Sequence, residues 1–176
     1  MKHLMHLVFT FFLISNCFAQ TTTLSTDWLG KWNGDLYIYS LDSSNKETIT
    51  KVPMEMEIAE IDSSTWKWMI YYKIEHQEPR NYELQFTNKG WQIDEKNGIV
   101  IPQKLLNGKL MSSFVVGNNQ VNCSYELQKD QLQMEIFMVN VQEDNAIKTG
   151  LNTNEIPQVI VHPTMNYQKA VLNKIQ

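Results

Sequence analysis

In Lys51-Val-Pro-Met-Glu-Met-Glu-Ile58, Val52, Met54, Met56 and Ile58 fall on one parity and Lys51, Glu55 and Glu57 on the other. A period of two places alternate side chains on opposite faces of a strand, so the methionines face a core and the acids face water. After a turn at Ile61-Asp-Ser-Ser64 the pattern returns, with Trp66, Trp68, Ile70, Tyr72 and Ile74 opposing Lys67, Met69, Tyr71 and Lys73. Upstream, Trp32, Gly34, Leu36 and Ile38 oppose Asn33, Asp35, Tyr37 and Tyr39, and Asp42-Ser-Ser-Asn45 supplies the turn between.

Downstream, breaks at Gln77-Glu-Pro-Arg80, Asn88-Lys-Gly90 and Lys96-Asn-Gly98 separate short alternating runs. Tyr82, Leu84 and Phe86 form one, Trp91 to Asp94 the next, and Ile99 to Ile101 a third. Leu110 to Val116, Val121 to Leu127 and Leu132 to Val141 follow, the last with Leu132, Met134, Ile136 and Met138 on one face. Val159 to His162 reads as another short strand, while Tyr167 to Leu172 suits strand or helix. About ten strands at hairpin spacing predict an all-β antiparallel meander closed into a barrel of about 8 to 10 strands, because closure removes exposed edges. A sandwich is the alternative.

The chain has 176 residues, and its composition is that of a globular domain: 43% hydrophobic, 19% charged, with 7 Gly and 5 Pro. Met1 to Ala19 has a cationic start at Lys2, an apolar run from Leu7 to Ile14 and small residues at Cys17 and Ala19, the pattern of a secretory signal peptide cut after Ala19. The run is too short to span a bilayer. Cys17 raises lipoprotein anchoring as a rival, although Asn16 stands where Gly, Ala or Ser is wanted. The expected organisation is signal peptide 1–19, a Thr-rich flexible lead-in 20–26 and one domain 27–176, secreted or periplasmic.

The leader carries one Lys and no acid, so the net charge of −4 becomes −5 on its removal. With Arg80 as the single arginine, nucleic acid and anionic membrane surfaces are disfavoured as partners. Cys123 would remain as the lone cysteine, on the apolar parity, and is expected to be a buried, inert thiol. Asn122-Cys-Ser124 fits a glycosylation sequon, but inside a strand. The segment Gln142 to Pro157 is polar and too long for a hairpin turn, either a lid or a mobile loop.

No catalytic signature is found: no His-Glu-x-x-His, Cys-x-x-Cys, Gly-x-Ser-x-Gly, Walker or dinucleotide motif. Beyond the leader only His76 and His162 remain, both read as surface or capping histidines. Glu55 and Glu57 share a strand face but point to solvent, and Glu143 and Asp144 lack the spacing of a calcium loop. The expectation is no enzyme, no metal and no cofactor.

Gly30-Lys31-Trp32, opening the first strand after a signal peptide, resembles the Gly-x-Trp motif that begins the first strand of lipocalins and related calycins. The ending Asn166 to Lys174 resembles the tails of lipocalin-like bacterial secreted proteins. The resemblance implies a lipocalin-like antiparallel barrel with a cup-shaped interior, Trp32 plugging the closed end as a barrel-base structural residue, and ligands entering at the open end. A haem-binding calycin would use a histidine such as His162 as axial ligand. The chain departs from lipocalins in its short tail and lack of a cysteine pair.

Met54, Met56, Ile58, Trp68, Tyr72, Phe86, Phe114, Tyr125, Met134, Ile136 and Met138 share the inward parity and are the candidate ligand-binding residues. The same residues would make a filled core, and pattern does not separate the two. The expected function is binding of a small apolar or amphipathic ligand inside the barrel, without catalysis. The alternative is a solid barrel acting as a surface module, with Tyr37, Tyr39 and Tyr71 meeting a protein or glycan partner. Replacing Tyr37 and Tyr71 with Ser discriminates the two.

Overall fold

A computed structural model describes residues 23–153 and 155–175. The leader read at Met1 to Ala19, its cleavage site and Cys17 lie outside the described residues. Thirteen strands form among the described residues: β1 Gly30–Leu41, β2 Glu47–Asp62, β3 Thr65–Tyr72, β4 Arg80–Thr87, β5 Gly90–Asp94, β6 Val100–Pro102, β7 Lys104–Leu106, β8 Lys109–Val116, β9 Asn119–Gln128, β10 Gln131–Asn140, β11 Ile147–Thr149, β12 Val159–Val161 and β13 Thr164–Ile175. Several of the turns that connect them open on an aspartate. Asp42 accepts from the backbone N–H of Ser44 and of Lys46, and Asp62 and Asp94 do the same for Ser64 and Lys96.

Eleven strands make one sheet in the order β6-β5-β4-β3-β2-β1-β13-β10-β9-β8-β7. Its two edges, β6 and β7, are successive pieces of one stretch interrupted at Gln103. The first piece pairs with β5 and the second with β8. Gln103 N–H also donates to Trp91 O at 2.8 Å. The meander thus returns on itself as a nearly closed antiparallel barrel, which leaves little unpaired edge. A sandwich is excluded by this single continuous sheet.

Tyr167 to Leu172, compatible with strand or helix in sequence, belongs to β13, which pairs with β1 on one side and β10 on the other. Two full ladders of backbone hydrogen bonds outweigh the helical tolerance of Ala170 and Leu172. Within the stretch expected to be a flexible lead-in, Leu24 packs against the core and Thr26–Trp28 form a 3-10 turn.

That turn plugs one end of the barrel. Trp32 Nε1 donates to Trp28 O at 3.0 Å, Lys174 Nζ donates to Asp27 O at 3.0 Å, and the same ammonium lies 5.1 Å from the Trp32 ring centroid. Around them Trp28 and Trp68, Trp66 and Trp91, and Phe86 and Trp91 meet at ring separations of 6.1, 5.3 and 5.0 Å. Met54, Met56, Ile58, Leu84, Leu110, Leu132, Met134 and Leu172 fill the remaining space, each at most 1% exposed.

Candidate functional site

The opposite end is where the barrel stays open. The turn at 42–46, the loop 73–79, the turn at 95–99, the turn at 117–118 and the long segment 141–163 all lie there, since they join the strand ends farthest from the plug. Inward-facing positions here carry smaller or polar side chains. Ser112, Val121, Cys123 and Gln168 stand where the closed end has tryptophan and leucine. Two cavities result, of about 270 and about 400 Å³. Tyr72, Arg80, Val121 and Ile136 line both, so they form the partition between the deeper and the outer space.

The deeper cavity is walled by Ile70, Phe114, Ile136, Tyr82, Tyr125, Cys123 and Gln103, and the outer by Leu36, Ile38, Val52, Ile74, Met138 and Gln168. Tyr125 is held edge-on to Trp68, at 5.1 Å between ring centroids. Burial pushes the Tyr72 hydroxyl up to about 12, with the Arg80 guanidinium opposing, and raises Tyr82 and Tyr125 in the same direction. All three phenols therefore stay protonated near neutrality and offer neutral hydroxyls to a guest.

Arg80 carries the site's positive charge. It is the first residue of β4, shares the inward parity of Tyr82, Leu84 and Phe86, and places its guanidinium 5.0 Å from the Tyr72 ring centroid. Among the described residues seven lysines pair with a carboxylate: Lys51 with Asp35, Lys67 with Glu57, Lys73 with Glu55, Lys96 with Glu83, Lys109 with Glu126, Lys148 with Glu143 and Lys169 with Glu135. Among the described residues Arg80 has no carboxylate within 4.0 Å. Glu95 also lines the deeper cavity, but its carboxylate accepts from Asn97 Nδ2 of its own turn at 3.2 Å.

The candidate ligand-binding residues divide between the two halves. Tyr72, Phe114, Tyr125, Ile136 and Met138 line the cavities at the open end. Met54, Met56, Ile58, Trp68 and Met134 face inward too, but they are packed in the closed half, and Phe86 lies against Trp91 there. Arg80, Tyr82, Gln103 and Gln168 were not singled out from sequence. Arg80 reads as part of a turn, and Gln103 is hidden by its polar character, although Ile101, Gln103 and Leu105 alternate on one parity.

On the outside, Glu55 and Glu57 are occupied by Lys73 and Lys67, the latter pair at 2.7 Å. Tyr39 stacks on Tyr167 at 5.8 Å, Tyr37 lies beneath Lys51 at 5.9 Å, and Tyr71 stands two strands away on β3. A shallow outer groove of about 400 Å³ runs past Met111, Phe137 and Tyr167 without involving Tyr37 or Tyr71. His162 lines neither cavity, and His76 Nε2 lies 3.4 Å from Glu75 Oε1. No group of three His, Cys, Asp or Glu side chains that could hold a metal ion occurs among the described residues, and no helix there is long and apolar enough to cross a membrane.

The segment read as lid or loop, Gln142 to Pro157, forms a 3-10 turn, Glu143–Asn145, and β11, which pairs with β12 just beyond it as a ribbon at the open end. Asn140 N–H to Pro163 O and Val141 N–H to Asn118 O, at 2.9 and 2.8 Å, fasten its base to the barrel. Ile147, Val159, Ile160 and Val161 on the ribbon are exposed.

Cys123 faces the deeper cavity, and burial pushes its thiol up to about 12. Since the thiolate is the reactive species, protein prepared without residues 1–19, and so without Cys17, is expected at pH 8 to resist iodoacetamide for hours and to take up one equivalent on unfolding in guanidinium. Intact mass spectrometry with and without denaturant reads both states; rapid native labelling would show that the thiol is neither buried nor neutral.

No family model and no curated protein matches the sequence. Among solved structures, the chain is similar to the fluorescent protein UnaG, crystallised as a point mutant, at 8% identity and a TM-score of 0.48, over 85% of this chain and 97% of that one. It is also similar to Rv2717c from M. tuberculosis, at 13% identity and a TM-score of 0.47, over 86% of this chain and 94% of that one.

Proposed function

We propose that this protein binds a small amphipathic molecule in the open half of its barrel and releases it unchanged. The apolar part of the guest lies against Ile70, Phe114 and Ile136, and an acidic group meets Arg80. The observation that carries this reading is a guanidinium without a carboxylate partner at the partition of two cavities otherwise walled by apolar and tyrosine side chains. Pockets of this kind, apolar with a few placed polar groups, are where small ligands are held and oriented. A charged hydrogen bond contributes about 1.5–3 kcal/mol, and the exposure of Arg80 puts it at the lower end.

Decanoate and cinnamate, titrated calorimetrically, are suitable probes of the acid–arginine contact. Arg80→Met is expected to weaken whichever acid binds by about tenfold, while leaving the thermal midpoint close to that of the parent. Equal affinity in parent and variant would remove Arg80 from the reading, and no binding of either acid would remove the reading itself. Native mass spectrometry of protein purified from its own host, followed by organic extraction, identifies the resident ligand. Its recovery chemically intact after incubation tests the absence of catalysis.

Export is the second part of the proposal. It rests on the Met1 to Ala19 pattern, and the expected amino terminus of the exported protein is Gln20. Terminal sequencing of the extracellular and periplasmic fractions checks this; a lipid-modified Cys17 would instead anchor the protein to a membrane.

A further inference from the structure

Two opposite charges line the deeper cavity without pairing with each other. Arg80 opens β4 on the inward parity of Tyr82, and Glu95 follows β5 on the inward parity of Trp91 and Ile93. The register that pairs Glu83 with Asp94 brings Glu95 level with Tyr82, two residues along β4 from Arg80. Tyr82 responds to both charges. Burial pushes its hydroxyl up, the Arg80 guanidinium opposes, and the Glu95 carboxylate adds to the rise.

Each charge is held on its own side. The guanidinium lies over the Tyr72 ring at 5.0 Å, and Glu95 Oε2 accepts from Asn97 Nδ2 at 3.2 Å. Lys96, the neighbour of Glu95 in the chain, turns to Glu83 at 2.9 Å, and among the described residues no cation pairs with Glu95. Its second oxygen, Oε1, makes no hydrogen bond there. The buried side-chain atoms without a partner are Trp68 Nε1, Gln103 Oε1 and His162 Nδ1, so the free oxygen of half-buried Glu95 is accessible.

A plain acid entering beside Arg80 brings its negative charge close to that of Glu95, whereas a molecule carrying both signs satisfies both side chains at once. We infer that Glu95 is the specificity-determining residue of the deeper cavity, selecting amphipathic amino acids over plain organic acids, with the carboxylate at Arg80 and the ammonium at Glu95. This rests on the proposed binding of an acidic amphiphile and narrows its class. The apolar side chain of the amino acid runs along Ile70, Phe114 and Ile136.

The selection has a sign that an apolar pocket with a lone arginine cannot produce. An ammonium taken from water without a counter-charge lowers affinity, so such a pocket prefers the plain acid. Matched pairs read this directly: 2-aminodecanoate against decanoate, and phenylalanine against 3-phenylpropanoate, titrated calorimetrically at pH 7 into protein prepared without residues 1–19. In at least one pair the amino acid is expected to bind about tenfold more tightly. Glu95→Gln is expected to erase that preference, while the plain acid's affinity stays within about threefold. A role in folding alone would move both members of a pair together.

The parent protein supplies a second measurement that needs no variant. N-acetylation of 2-aminodecanoate removes its positive charge, and the acetylated acid is expected to lose the tenfold advantage. Equal affinity within both pairs, preference for the plain acids, or an equal loss for both members in Glu95→Gln would overturn the inference. So would a tenfold gain by the plain acids in that variant, the result expected if Glu95 neutralises Arg80 in solution. In those cases Arg80-dependent binding of the plain acids would leave the broader proposal standing. Failure of every acid to bind would take both down together.

Discussion

Trp32→Ala is expected to lower the unfolding free energy by about 3–5 kcal/mol, the range for deleting a buried large aromatic side chain. Trp32 is 1% exposed and does three things at once at the closed end. It fills the base of the barrel between β1 and the 3-10 turn, and it ties that turn down by donating to Trp28 O. It also carries the Lys174 ammonium on its ring, while that ammonium donates to Asp27 O. The variant therefore opens a void, frees the plug and loosens the end of β13 together. Against a usual total stability of about 5–15 kcal/mol the loss is large. Chemical denaturation followed by far-ultraviolet circular dichroism measures it, since tryptophan fluorescence changes with the substitution itself. Trp32→Phe should keep more of the packing and lose less; a cost below about 1 kcal/mol for the alanine variant would mean the plug holds without its tryptophan.

Gly34→Ala is expected to cost about 1–3 kcal/mol by overpacking, with the damage centred on the seam between the first and last strands. A Cβ at Gly34 would sit 2.3 Å from Val171 O and 3.1 Å from a methyl of Leu172. The nearest obstacle is backbone, which cannot turn aside as a flexible side chain does, so β1 and β13 must separate where Gly34 pairs with Leu172. Because β13 also pairs with β10, the separation propagates to two ladders. Hydrogen exchange should accelerate along β13 relative to β3 and β4, and the denaturation midpoint should fall. Unchanged protection in β13 would show that the seam tolerates a methyl group.

Much of this was legible in the alternation. Val52, Met54, Met56 and Ile58 are buried as their parity demands, and Trp66, Trp68 and Ile70 with them. Asp42, Asp62 and Asp94 mark turns through a side-chain bond to the backbone, which is a local property and hence readable. The tail was ambiguous because Ala170 and Leu172 suit two structures, and its strand form depends on two neighbours distant in sequence. Arg80 was hidden for the opposite reason. Gln77-Glu-Pro-Arg80 has turn composition, and the residue's inward direction follows from the strand that begins with it.

The order of residues settles which face of each strand is wet, where most turns fall, and that the domain is all-β, because a period of two and Asx turns are encoded within a few residues. Which end of the barrel is full and which is hollow depends on volumes brought together across many strands. All five tryptophans, Trp28, Trp32, Trp66, Trp68 and Trp91, gather in the closed half, whereas Ser112, Cys123 and Gln168 converge at the other. Neither gathering is visible along the chain, since it follows from the register of many strands closing on one another. The Arg80 guanidinium, set over Tyr72 without a carboxylate, and the unmet oxygen of Gln103 arise the same way, since what a charge or an acceptor pairs with depends on neighbours that folding supplies.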